Sequence, residues 1–139
     1  MSYEAPILSA SFPAGSDLST HQYKPVSLTT AGKLQVMTGL TDKFLGILQD
    51  KSTAAGISSK VMLAGVSKVV VGSSSGLEMA VVPGALLTST GGGALPSSSG
   101  AGNRIIGYAL EGCSTFGAST AVSQPVIAML ISHGFAVST

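Results

Sequence analysis

Gly72-Ser73-Ser74-Ser75-Gly76 has the Gly-x-Ser-x-Gly spacing of a nucleophile elbow, with Ser74 as the serine. That motif works when a strand feeds a sharp turn and a helix follows, lifting the hydroxyl clear of the sheet. Val69-Val70-Val71 supplies the strand, but residues 77–82 before Pro83-Gly84 are too few for the helix. A Ser-rich loop is the better reading of a bare pattern in that context. A hydrolase also needs a base and a group to orient it. His21 and His133 stand near opposite ends of the chain with no partner at a suggestive spacing, and read as surface or interface histidines. The six carboxylates, Glu4, Asp17, Asp42, Asp50, Glu78 and Glu111, are scattered singly. Cys113 is alone, which excludes an internal disulfide and a zinc knuckle, and it reads as a small apolar residue. The Gly-rich run 91–102 lacks the Gly-Lys-Ser/Thr end of a phosphate loop. No catalytic residue, metal site or cofactor is expected.

Composition points the same way. Only 9% of the 139 residues are charged, against ~25% in an ordinary soluble domain, while 45% are apolar and the net charge is +1. Such a chain has no basic field for phosphate backbones and no polybasic anchor, so neither nucleic acid nor membrane is an expected partner. No stretch reaches the ~20 apolar residues of a membrane-spanning helix. The opening Met1-Ser2-Tyr3-Glu4-Ala5-Pro6 lacks the basic and apolar regions of a secretory signal. A surface with few charges is poor at keeping copies apart, which suits assembly.

The elements that would carry these residues are strands. Residues 1–24 hold Pro6, Pro13 and Gly15 among small residues and read as an extended arm without a core of its own. Residues 25–139 read as a single β domain. Residues 25–29 and 34–37 alternate around a turn at Gly32, and Phe44-Leu45-Gly46-Ile47-Leu48 is a short apolar run with a central glycine. Residues 60–71 form the longest β-branched stretch, broken by Gly65. Residues 77–82 fit a strand or a single helical turn. Residues 124–131 are apolar on both faces, as in a strand covered on both sides, in the core or at an interface. The fold class expected is all-β, a compact barrel- or sandwich-like body with at most one short helix.

The body is also written twice. Gly32, Gly46 and Gly56 recur as Gly93, Gly107 and Gly117, all at an offset of 61. Phe44-Leu45-Gly46-Ile47 maps onto Ile105-Ile106-Gly107-Tyr108, and Asp50 onto Glu111. Related halves are expected at about 26–71 and 84–132, with these six glycines in structural roles. Asp50 and Glu111 then form either a pseudo-symmetric pair or two acids on matching loops.

With these residues in hand, the chain resembles the small β-rich decoration, or cement, proteins of tailed-phage capsids. The resemblance rests on residues 11–19 followed by Gln22-Tyr23-Lys24, on Thr41 to Asp50, and on Ala54-Ala55-Gly56 with 61–69. Pro83-Gly84-Ala85-Leu86-Leu87 and Ile106 to Glu111 complete it. Gly84-Ala85 and Gly56-Ile57 stand where the family often has Gly followed by an acid. The resemblance implies a virion protein on the outer capsid surface, present in the host cytoplasm during assembly. Its partners would be the major capsid protein and its own copies, as a homotrimer, and it would fasten neighbouring capsomers. Under it, Ile7, Leu8, Phe12, Pro13, Asp17 and Leu18 of the arm are the candidate capsid-binding residues. Two other classes compete: a carbohydrate- or surface-binding β-module, disfavoured by the absence of Trp and the 5% aromatics, and a hydrolase on Ser74.

Overall fold

The computed structural model describes residues 4–39, 42–72, 80–90, 93–96, 104–113 and 125–133. Every regular element among them is a strand, and the sheet is a curled antiparallel half-barrel. The strands are β1 (Ala5–Pro13), β2 (Pro25–Leu28), β3 (Leu34–Val36), β4 (Gly46–Leu48), β5 (Ser58–Val70), β6 (Leu86–Thr90), β7 (Gly93–Pro96), β8 (Ile105–Ala109) and β9 (Val126–Ile131). The sheet order is β3-β2-β4-β5-β9-β8-β6-β7, with β1 also paired to β5. That order is a palindrome: each strand of the first four has a counterpart at the same distance from the centre.

The register shows the same repetition. Pro25 pairs with Ile47 and Val26 with Gly46; Leu86 pairs with Tyr108 and Leu87 with Gly107, each residue 61 further on. The next strand drifts. Ile47–Met62 and Leu48–Val61 become Tyr108–Leu130 and Ala109–Met129, so β9 follows β5 at 68. The hairpins differ by one residue, because Val26–Val36 becomes Leu87–Pro96. The expected match of Gly32 with Gly93 therefore fails. Gly32 lies in the turn after β2 with φ 72°, whereas Gly93 lies in β7 opposite Thr90. Gly117 lies outside the described residues.

Outside the strands the copies also agree. The Tyr23 amide donates to the Leu48 carbonyl (2.8 Å), and the Gly84 amide to the Ala109 carbonyl (2.7 Å). Tyr23 and Gly84 share a left-handed backbone, φ 63° and 85°. Glycine takes that conformation freely, whereas a side chain costs about 1–2 kcal/mol there.

The expected arm is integrated into the sheet. β1 runs antiparallel along β5, from Ala5 opposite Val66 to Pro13 opposite Ser58, with register shifts between Pro6 and Ser9. Prolines are tolerated in such a strand because it lies on an edge. The arm also has core residues, contrary to the expectation. Ala14 and Leu18 are buried with Val26, Leu34, Leu48 and Val61. Small side chains hid this in the sequence: Ala14 fits where its backbone meets Leu34, and Gly15 donates to the Leu34 carbonyl. Val71 and Gly72 make the same two contacts with Ala94. The end of β5 thus serves the second unit as β1 serves the first.

Candidate functional surface

Each unit has two faces. In the first, Val26, Leu34, Leu45, Leu48 and Val61 point inward under Ala14 and Leu18. Their counterparts Leu87, Ala94, Ile106, Ala109 and Met129 line the larger core cluster. The opposite faces diverge. In the first unit Phe44, Ile47 and Met62 are buried within that same larger cluster, against the inner residues of the second unit. The counterparts of Ile47 and Met62, Tyr108 and Leu130, are 43% and 40% exposed, as is Leu86, the counterpart of Pro25, at 40%, whereas Ile105, the counterpart of Phe44, stays buried. Leu86, Tyr108 and Leu130 are direct cross-strand partners, and Val66 and Ala5 continue the row on β5 and β1. Directly paired residues of antiparallel strands share a face, so this is one apolar stripe crossing five strands.

β1 forms a second exposed apolar feature. Ile7 is 81% and Leu8 54% exposed, and among the described residues the strand pairs with β5 alone. Of the other arm candidates, Pro13 is exposed and Phe12 is half-buried against the Ala14–Leu18 cluster. Leu18 is buried in that cluster, so its side chain presents nothing to a partner. Asp17 accepts a hydrogen bond from the Ser19 amide (2.9 Å), which with the Ser19 hydroxyl holds its carboxyl below the ordinary value.

The acids are spent on the backbone. Asp50 accepts from the Lys60 amide (2.8 Å), and Glu111 from the Ala128 amide (3.0 Å). Each follows its β4-type strand and tethers the next long one, so they are equivalent residues on matching loops, not a facing pair. Asp42 accepts from the Thr38 amide (2.8 Å) and the Gly39 amide (3.0 Å), and these two donors depress its pKa. A carboxylate that takes two amide hydrogens is favoured in its charged form.

The remaining candidates stay apart. His133 stacks on Phe44 at a centroid distance of 5.1 Å, with its Nε2 2.9 Å from the Leu63 carbonyl. His21 is half-buried, and burial, then Lys24, lowers its pKa. Cys113 packs at the margin of the larger core. Ser74 and residues 97–103 lie outside the described residues. Among the described residues no group of three or more His, Cys, Asp or Glu could hold a metal ion.

The stripe escaped the sequence because its residues are identical in type to those of a core. In comparisons with known proteins, no family model and no curated protein matches the chain.

Proposed function

We propose that this chain is a structural protein of a phage virion, which binds the outside of the capsid and fastens neighbouring capsomers. The observation that carries it is β1. It is a nine-residue edge strand with little charge, exposed apolar side chains at Ile7 and Leu8, and no sheet partner beyond β5 among the described residues. An edge of that kind is a template for another chain's strand, with backbone hydrogen bonds supplying affinity and alternate side chains specificity. The partner is a capsid-protein strand. Pro6 and Pro13 limit the pairing to the segment between them. Weak contacts of this sort add up over a lattice through effective concentration. The body supplies stiffness and self-association, and the role requires no catalytic group, metal or cofactor.

The test is decoration of undecorated capsids by the chain lacking residues 2–11, which spares Ala14. Affinity is expected to fall about tenfold or more, ~1.4 kcal/mol per site. Undiminished decoration by the folded, truncated chain would remove β1 from the docking surface. Failure of the full chain to bind any tailed-phage capsid would refute the function.

A further inference from the structure

We propose that the apolar stripe on the outer face of the second unit, centred on Leu86, Tyr108 and Leu130, binds a second copy of this chain. It deepens the self-association half of the proposed function and rests on that half alone, not on capsid binding.

The chain itself shows what covers such a face. Pro25, Ile47 and Met62 occupy the same register positions in the first unit as Leu86, Tyr108 and Leu130 in the second. In the first unit this face is buried, with Ile47 fully inaccessible, and what buries it is the inner face of another copy of the same repeat. The second unit has the same geometry and apolar residues of similar bulk, but its face lies open. Stacking of one unit on the next stops there within the chain, which leaves this face to a surface brought by another molecule.

The stripe is suited to that occupant. It has no charged residue from Leu86 through Tyr108, Leu130 and Val66 to Ala5, so a copy meets no unpaired charge on docking. Val126 extends it along β9 on the Leu130 side, also exposed. The nearest cation on that side is Lys68, opposite Ala128, and its ammonium lies over the Tyr23 ring at 5.6 Å. Tyr108 has the rigid, half-apolar side chain that anchors interfaces. The inner face of the first unit is closed by Ala14 and Leu18, so the copy cannot insert there. It must bring its own exposed apolar surface, which makes the stripe self-complementary or joins it to the neighbouring Ile7 and Leu8 of β1.

The experiment is sedimentation of the free protein over a concentration series, with no capsid present. The wild type is expected to associate. Leu130→Glu and Tyr108→Ser are expected to weaken association by at least a hundredfold, while Ile57→Glu, at an exposed apolar residue away from the stripe, leaves it unchanged. A wild type that is monomeric at every concentration overturns the proposal, as does a folded Leu130→Glu that associates like the wild type. If the charged variant does not fold, a photo-crosslinking residue placed at the exposed position 108 of the otherwise wild-type chain decides. Self-crosslinks carrying this chain's peptides support the proposal, and their absence at concentrations where the protein associates overturns it. Loss of capsid decoration with association intact would fault the function and leave this interface standing.

Discussion

Gly46 and Gly107 make a matched pair of experiments. A Cβ on Gly46 would fall on the Met62 carbonyl oxygen and 2.8 Å from Val61 Cγ1. On Gly107 it would fall on the Leu130 carbonyl oxygen and 2.7 Å from both Met129 Cγ and Sδ. These are the same neighbours in the two units, since Val61 and Met62 correspond to Met129 and Leu130. Both sites sit in the middle of the sheet, where the opposing backbone is held by its own pairing and cannot retreat. Overpacking of that kind costs about 1–3 kcal/mol, and a backbone carbonyl puts Gly46→Ala at the upper end, roughly 3 kcal/mol. Gly107→Ala is expected at about 2 kcal/mol, because the Met129 side chain can swing aside while the Leu130 carbonyl cannot. Gly32 is the control. Nothing lies within 4 Å of its Cβ position, and only its φ of +72° opposes a side chain, so Gly32→Ala should cost about 1 kcal/mol. Asparagine, which tolerates this conformation, should rescue Gly32 and worsen Gly46. In thermal unfolding followed by circular dichroism, ~1 kcal/mol corresponds to roughly 3–4 °C for a chain of this size. Gly46→Ala should then lower Tm by about 10 °C and Gly32→Ala by about a third of that. If Gly46→Ala and Gly107→Ala both cost less than Gly32→Ala, the equivalence of the two glycines and the rigidity of the sheet at those points are wrong.

The tethering acids should separate by burial: Glu111→Ala strands the amide of fully buried Ala128 and should cost about 1–3 kcal/mol, whereas Asp50→Ala frees an amide at exposed Lys60 and should cost ~0.5 kcal/mol. Equal losses in urea unfolding would contradict this. Asp42 should be more acidic folded than its unfolded value of 3.8, so its contribution is full above that value and disappears as pH falls through the folded pKa. The Tm difference between wild type and Asp42→Ala should therefore shrink in acid, and a difference independent of pH would count against the Thr38 and Gly39 hydrogen bonds. Leu18→Ala should behave as a core truncation, costing about 2–5 kcal/mol with no specific effect on capsid binding beyond lost stability, while Ile7→Ala should leave the unfolding free energy within about 0.5 kcal/mol of wild type.

Much of the framework was legible because glycine reports on backbone contacts. Gly46 and Gly107 mark equivalent places where the neighbouring strand crosses so close that only hydrogen fits, and they set the offset that relates β2 to β6 and β4 to β8. Asp50 and Glu111 held the same register because each caps the same amide. The registry failed where loops changed length. One residue fewer in the second hairpin broke the match of Gly32 with Gly93, and the longer passage between β8 and β9 moved the last strand to 68. β1 was legible as extended but not as part of the sheet, since Pro6, Pro13 and a run of Ser and Ala conceal any alternation. The exposed stripe was not legible at all: burial of Ile47 and exposure of Tyr108 depend on which unit lies in front, and neither residue encodes that locally.

β5 has a further consequence during synthesis. It is the closing strand of the first unit and, through residues 66–70, the first support of the second, where its partner is β9. While a ribosome extends the chain from residue 70 to residue 126, that edge has nothing to pair with. At ~5–20 residues per second the interval lasts several seconds, far longer than a hairpin needs to form. Val66, Val69 and Val70 make the waiting edge β-branched and apolar, the kind that recruits strands from neighbouring chains. Lys68 in the middle of it is a charge placed where an intermolecular β-zipper would have to bury it, and it keeps the nascent edge unattractive until β9 arrives.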